Sequence, residues 1–168
     1  MIPRTLAETL RRLAQSFPVV AITGPRQSGK TTLARAVFAD KPYVSLEDPI
    51  ERAFALEDPR GFLARFKNGA VFDEAQRWPD LFSYLQGMVD DQRAPGRFVV
   101  TGSQQFGLLA GVTQSLAGRV GLTRLLPLAF DEMPAASRQL SIGSILLLGG
   151  YPLLHSQPIL ASSWFASY

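Results

Sequence analysis

One stretch restricts the folds open to this chain more than any other: Gly24-Pro25-Arg26-Gln27-Ser28-Gly29-Lys30-Thr31, directly after the apolar run 17–22. It matches G-x-x-x-x-G-K-[ST], a pattern that needs a buried strand leading in, a tight turn, and a helix leading out. Successive backbone N–H groups of such a turn point inward with a helix N-terminus behind them, a geometry that wraps phosphate. Gly24 and Gly29 permit backbone angles and a close approach that a Cβ would block. Lys30 can reach β- and γ-phosphates, and the Thr31 hydroxyl can sit on Mg²⁺. Thr32, one position further on, would substitute poorly. An ordinary Gly-rich turn between strand and helix is the bland alternative.

At 168 residues the chain is long enough for one domain with a real core, or one domain plus a piece of another. A hydrophobic content of 46% against 18% charge belongs to a globular chain, not a disordered one. There is no cysteine and only one histidine, His155, which excludes disulfides, thiolate metal sites and histidine-cluster zinc chemistry. Any metal should therefore be a hard cation. Arg4, Glu8, Arg11 and Arg12 interrupt the place where a signal peptide would need an apolar core, and no run of residues is apolar enough to span a bilayer. A cytoplasmic protein with no membrane association is the expectation. The net charge of +3 hides an asymmetry, since Lys30, Lys41 and Lys67 are the only lysines and every other strongly basic side chain is arginine. Spread along the chain and not gathered into a stripe, the arginines give nucleic-acid binding only weak support, and a GC-rich codon bias explains them better.

Read in order, Leu6, Leu10, Leu13 and Phe17 recur at helical spacing, and 18–22 reads as a strand buried on both faces. After the loop come a helix over 30–38, a strand over 43–46, a helical stretch 50–66 broken near Asp58-Pro59, and a strand over 70–72 running into Asp73-Glu74. A helix over 79–90, a strand over 97–101, a helical stretch to about 116 and a fifth strand over 120–128 complete the alternation. Such spacing predicts a three-layer α/β fold with a mostly parallel sheet. The core is expected over residues 1–131, with 132–168 beginning a helical lid. Residues 133–168 carry no acid, and a tail closing on Trp164-Phe165-Ala166-Ser167-Tyr168 should leave aromatics short of cover, as in the front part of something longer; docking on the core is the other reading.

Asp73 and Glu74 end a buried strand at the carboxyl edge of the sheet, the edge that carries the loop. Asp73 can hold Mg²⁺ through its water shell, and Glu74 can orient or deprotonate a water for in-line attack on a γ-phosphate. A helix N-cap is the structural alternative. Thr101, Ser103 and Gln104 end the next strand and can contact the water or the γ-phosphate, or simply cap a turn. Arg119 can meet phosphate charge in its own site or across a subunit boundary, with a surface salt bridge as the counter-reading. Arg26 can touch a phosphate or a neighbouring subunit. The expected set is therefore Glu74, Lys30 and Arg119 for catalysis, Thr31 and Asp73 for the metal, and Gly24, Pro25, Arg26, Gln27, Ser28, Gly29, Lys30, Thr31, Thr32 and Ser103 for the nucleotide.

Taken together, Phe17-Pro18-Val19-Val20, the loop through Thr32, Val71-Phe72-Asp73-Glu74-Ala75-Gln76, Thr101-Gly102-Ser103, Ser115-Leu116-Ala117-Gly118-Arg119, Leu126-Pro127-Leu128 and Gly149-Gly150-Tyr151-Pro152 form an ordered set. This set resembles the prokaryotic AAA-type (AAA+) P-loop ATPases whose core precedes a C-terminal domain of unknown function. The resemblance implies a five-stranded sheet of order 5-1-4-3-2, a Walker A loop over 24–31, a Walker B pair at Asp73 and Glu74, a sensor-like polar position near Thr101 to Ser103, and Arg119 as a family arginine. Members of that family continue past the point matching Tyr168, so the expectation is a chain lacking most of the lid and the C-terminal domain, through which a homo-oligomer or protein partner would be engaged.

Among loops of this kind a guanine reader should carry N/T-K-x-D, yet Asn68 is the only asparagine and no lysine has that context. Two helicase lobes do not fit the length; a small-molecule kinase stays open as an alternative, although it would usually want an Arg-rich lid over the phosphates and has no need of Glu74. The expected activity is Mg²⁺-dependent hydrolysis of ATP to ADP and phosphate. The alternative is a nucleotide-dependent binding module with little turnover.

Overall fold

Every residue of the leading strand, Val19–Gly24 (β1), is buried, so this strand must be covered on both faces. The computed structural model describes residues 2–103 and 115–168. It contains a five-stranded parallel sheet of order β2-β3-β4-β1-β5, built from Tyr43–Ser45 (β2), Ala70–Asp73 (β3), Phe98–Ser103 (β4) and Val120–Arg124 (β5) around β1. This is the order expected from the sequence, and the fold is that of the P-loop nucleotide hydrolases. Alternation along each strand feeds two separate cores. Val19 and Ala21 of β1, Phe72 of β3 and Phe98 and Val100 of β4 face one of them, and Val20, Ile22, Val71 and Val99 face the other.

The first core is closed by Pro49–Glu57 (α3), Pro59–Ala64 (α4) and Leu81–Asp91 (α5). Phe62 sits at its centre, edge-on to Phe54, Phe66 and Trp78 and tilted against Phe72. The second core is closed by Leu6–Ser16 (α1) and Lys30–Val37 (α2), through Leu10, Leu33 and Ala34. The break between α3 and α4 has a local cause: Asp58 accepts a hydrogen bond from the Gly61 amide and caps α4, whose first position is Pro59. Arg97 is buried without a carboxylate and instead donates to the carbonyls of Lys67, Met88 and Gln92, stapling the β3 entry to the end of α5.

Several boundaries move from their expected places. β1 and β4 each run two residues further, because Thr23 and Gly24 stay in register with Gly102 and Ser103. β5 stops at Arg124 and not at 128: the Leu125 amide makes a last bond to the Thr23 carbonyl at 2.7 Å, and Pro127 has no N–H to continue the ladder. The helical stretch expected between β4 and residue 116 falls largely on 104–114, outside the described residues, as does Gln104.

Beyond β5 come four short helices, Ala135–Arg138 (α6), Ile142–Leu148 (α7), Pro152–Ser156 (α8) and Ala161–Ala166 (α9). Of the closing aromatics Trp164 is covered, while Phe165 and Tyr168 stay exposed. Trp164 is buried, stacked on Tyr168 and packed on Tyr151 and Phe165, and the Tyr168 hydroxyl donates to the Arg26 carbonyl at 3.1 Å. Ile142, Leu146 and Leu147 of α7 are exposed as well. Among the described residues no helix is long and apolar enough to cross a membrane.

Candidate functional site

The loop between β1 and α2 is shaped by two glycines with different jobs. Gly24 has φ +146°, and a Cβ there would lie 2.1 Å from the Leu125 carbonyl oxygen, so the β1 exit and the segment after β5 touch backbone to backbone. Gly29 adopts the left-handed region with φ +94° immediately before α2, whose first helical bond runs from the Leu33 amide to the Gly29 carbonyl. Inside this turn Ser28 is fully buried, its hydroxyl donating to the Pro25 carbonyl at 3.0 Å. The Lys30 ammonium donates to the carbonyls of Gly24 and Pro25 at 3.2 and 2.8 Å. Burial lowers the Lys30 pKa from its ordinary value, opposed by the carboxylates of Glu74 and Asp73 and assisted slightly by Arg26.

Three hydroxyls converge on Asp73 at the carboxyl end of β3. Thr31 Oγ1 and the Tyr43 hydroxyl donate to Oδ2 at 2.8 and 2.7 Å, and Thr101 Oγ1 donates to Oδ1. Burial, and then the bond to Asp73, push the Tyr43 hydroxyl up to about 12, so it stays a donor at neutral pH. The next residue, Glu74, holds a left-handed backbone at φ +56°, an uncommon conformation for a residue with a side chain, and its Oε2 accepts from the Gln76 amide. Ser103 Oγ, beside Gly24 at the end of β4, is buried with no partner among the described residues.

A cavity of about 640 Å³ opens over this edge of the sheet. Arg26, Gln27, Gly29, Lys30, Thr31, Thr32 and Glu74 line it, whereas Gly24, Pro25, Ser28, Asp73 and Ser103 are not among its lining residues. The rest of its lining is Ile2 and Arg4, Leu33 of α2, Glu47 just after β2, and Pro152, Leu153 and Ser156 of α8.

Residues 16–134 match a family described as an AAA domain. The chain belongs to that family. Two relatives of this AAA domain, uncharacterized proteins of Mycobacterium tuberculosis (strain ATCC 25618 / H37Rv) and Mycobacterium bovis (strain ATCC BAA-935 / AF2122/97), are each 39% identical over 151 residues, or 89% of the chain. The chain spans only 33% of their length. Its fold is shared with a Walker-type ATPase of Pyrococcus abyssi at a TM-score of 0.61 and 16% identity, over 90% of this chain and 65% of that one. The AMPPCP-bound DnaA of Aquifex aeolicus gives a TM-score of 0.55 and 14% identity, over 90% and 56% of the two chains.

Arg119 of the AAA domain lies elsewhere. It precedes β5, and its carbonyl accepts from the Val19 amide at the amino end of β1, whereas the loop leaves the carboxyl end. Five residues of strand at about 3.3 Å each separate the two edges, roughly 17 Å. Its guanidinium forks onto Asp90, with Nε and Nη2 at 2.6 and 2.9 Å from the two carboxylate oxygens. The sequence left Arg119 a role in its own site or across a subunit boundary; the parallel sheet places it at the edge opposite the loop, paired with Asp90.

Two groups at the site gave no sequence signal. Tyr43 reaches Asp73 from a neighbouring strand 30 residues away. Arg4 donates from Nη1 to the Ser28 carbonyl at 2.8 Å and from Nη2 to the Leu126 carbonyl at 2.6 Å, and it pairs with Glu132 at 3.0 Å, both side chains almost fully buried. Glu132 also accepts from the Thr5 amide and hydroxyl and from the Ala129 amide. Burial alone would raise its pKa, but these amides, the Thr5 hydroxyl and the Arg4 charge outweigh burial and hold it below the ordinary value.

Proposed function

We propose that this AAA domain binds ATP with Mg²⁺ and hydrolyses it to ADP and phosphate. The observation that carries the reading is the meeting of Lys30, the Thr31–Asp73 pair and Glu74 at one edge of the sheet, with Lys30, Thr31 and Glu74 lining one cavity beside a left-handed turn. Backbone amides of the loop would wrap the phosphates, and the Lys30 ammonium would exchange its two loop carbonyls for phosphate oxygens. Ile2, Pro152 and Leu153 supply an apolar wall of the kind a nucleobase uses. The absence of a guanine-reading motif from the sequence favours adenine.

The donor set suits Mg²⁺. Thr31 and Asp73 offer only oxygen, and among the described residues no group of three or more His, Cys, Asp or Glu side chains forms a cage. Mg²⁺ is commonly held in this way, by one or two protein ligands, with water and substrate phosphates completing the shell. When bound it would neutralise charge on the β- and γ-oxygens. Glu74 is the residue assigned to the attacking water: it lies one position beyond Asp73, lines the cavity, and has one carboxylate oxygen steadied by Gln76. Ser103, whose hydroxyl lies next to Gly24 with no partner among the described residues, is assigned to the terminal phosphate or the water. Arg119 retains only a role across a subunit boundary.

Titration calorimetry with ATP, ADP and GTP in Mg²⁺ tests the reading. The parent should bind the adenine nucleotides and Lys30→Ala should not; unchanged affinity in that variant would sink the proposal. Glu74→Gln should keep ATP bound and slow single-turnover hydrolysis by roughly 10² to 10⁴, and a variant hydrolysing at the parent rate would remove Glu74 from the mechanism.

A further inference from the structure

The carboxylate of Asp73 is held by three hydroxyls from three different elements. An ionised carboxylate has about four lone-pair positions. Three are taken here: Oδ2 by Thr31 Oγ1 and the Tyr43 hydroxyl, Oδ1 by Thr101 Oγ1. Thr31 cannot be a permanent anchor if its own oxygen is to face a cation, because turning toward the metal redirects its hydroxyl. Once it turns, Oδ2 depends on Tyr43. Tyr43 is well placed for this task, since β2 pairs with β3 in the register Tyr43↔Val71 and Ser45↔Asp73, which fixes the ring beside the strand that ends in the carboxylate. The guanidinium of Arg35, on α2, lies 4.8 Å over the ring and holds it from the side of the helix that carries Thr31.

We infer that Tyr43 is a positioning residue for the divalent cation: its hydroxyl fixes the orientation of Asp73, and thereby sets how tightly Mg²⁺ is held with the nucleotide. The assignment rests on the Mg²⁺-nucleotide reading of the site. Tyr43 is not among the residues lining the cavity, so it is assigned to act through Asp73, which its hydroxyl bonds. Outer partners of this kind typically account for 10- to 100-fold in metal affinity.

The test is Tyr43→Phe, which keeps the ring, its packing and the contact with Arg35 while deleting one donor. ADP binding is followed by calorimetry across a Mg²⁺ titration and again in EDTA, with the melting midpoint recorded alongside. The half-saturating Mg²⁺ concentration should rise about 10-fold or more, while ADP affinity in EDTA stays at the parent value. The inference is overturned if the variant titrates like the parent, or if its affinity falls equally with and without Mg²⁺, the mark of a merely structural role. A parent protein whose ADP binding ignores Mg²⁺ would overturn the underlying reading as well, and that outcome is visible before the variant is made.

Discussion

The two fixed glycines of the phosphate loop should tolerate a methyl group very differently. At Gly24 a Cβ would stand 2.1 Å from the Leu125 carbonyl oxygen and 3.0 Å from its carbon, on a backbone at φ +146°. Leu125 cannot simply retreat, because its own amide is bonded to the Thr23 carbonyl at 2.7 Å and closes the β1–β5 ladder. Overpacking of this kind typically costs about 1–3 kcal/mol, and a side chain forced into that backbone region about 1–3 kcal/mol more. At Gly29 the nearest atoms to a Cβ are Arg4 Nη1 at 3.8 Å and Pro152 Cγ at 3.9 Å, which is ordinary contact. Only the left-handed backbone counts there, at roughly 1–2 kcal/mol. Gly24→Ala should therefore be the more destabilising by about 2 kcal/mol, equivalent to a melting midpoint roughly 4–8 °C lower in a domain of this size. Urea unfolding of both variants without nucleotide, with the m-value monitored, gives the comparison. If Gly29→Ala is as destabilising as Gly24→Ala, the contact with Leu125 does not shape the loop as described.

Two further predictions concern charge. The folded Glu132 carboxyl is depressed below its ordinary value of 4.5. Its contribution to stability should be complete above about that pH and fade as pH falls through the folded value. The gap in urea midpoint between the parent and Glu132→Gln should narrow below pH 4.5, and a gap constant from pH 3 to 7 would contradict the linkage. Arg119→Ala should leave calorimetric ATP affinity unchanged, because the Asp90 pair holds Arg119 at the opposite edge of the sheet; a weakened affinity in a monomeric sample would place it nearer the phosphates than the strand register allows.

What could be read from the sequence was what is local. The loop, the strand before it and Asp73-Glu74 are each written within a few residues, as glycines, an apolar run and adjacent acids. The strand order came from resemblance to a family, since spacing predicts a parallel sheet without ordering it. Fine boundaries failed where pairing partners decide them. Leu125, Leu126 and Leu128 look like more strand, yet the neighbouring strand offers its last acceptor at Thr23. Arg4 and Tyr43 were invisible for the same reason: their partners Glu132 and Asp73 lie 128 and 30 positions away, and no local pattern marks a side chain for so distant a bond. The wall supplied by α8 belongs with them, because nothing in Pro152-Leu153 says which surface a short helix will meet.

Arg4 holds the Ser28 carbonyl and Tyr168 holds the Arg26 carbonyl, so residues far apart in the sequence grip the same three-residue arc of backbone, Arg26-Gln27-Ser28. Mechanically this makes the loop a buckle. Tension applied between Arg4 and Tyr168 would load that arc together with the Arg4 bonds to Leu126 and Glu132, and a ligand filling the arc would stiffen one element in the line of force.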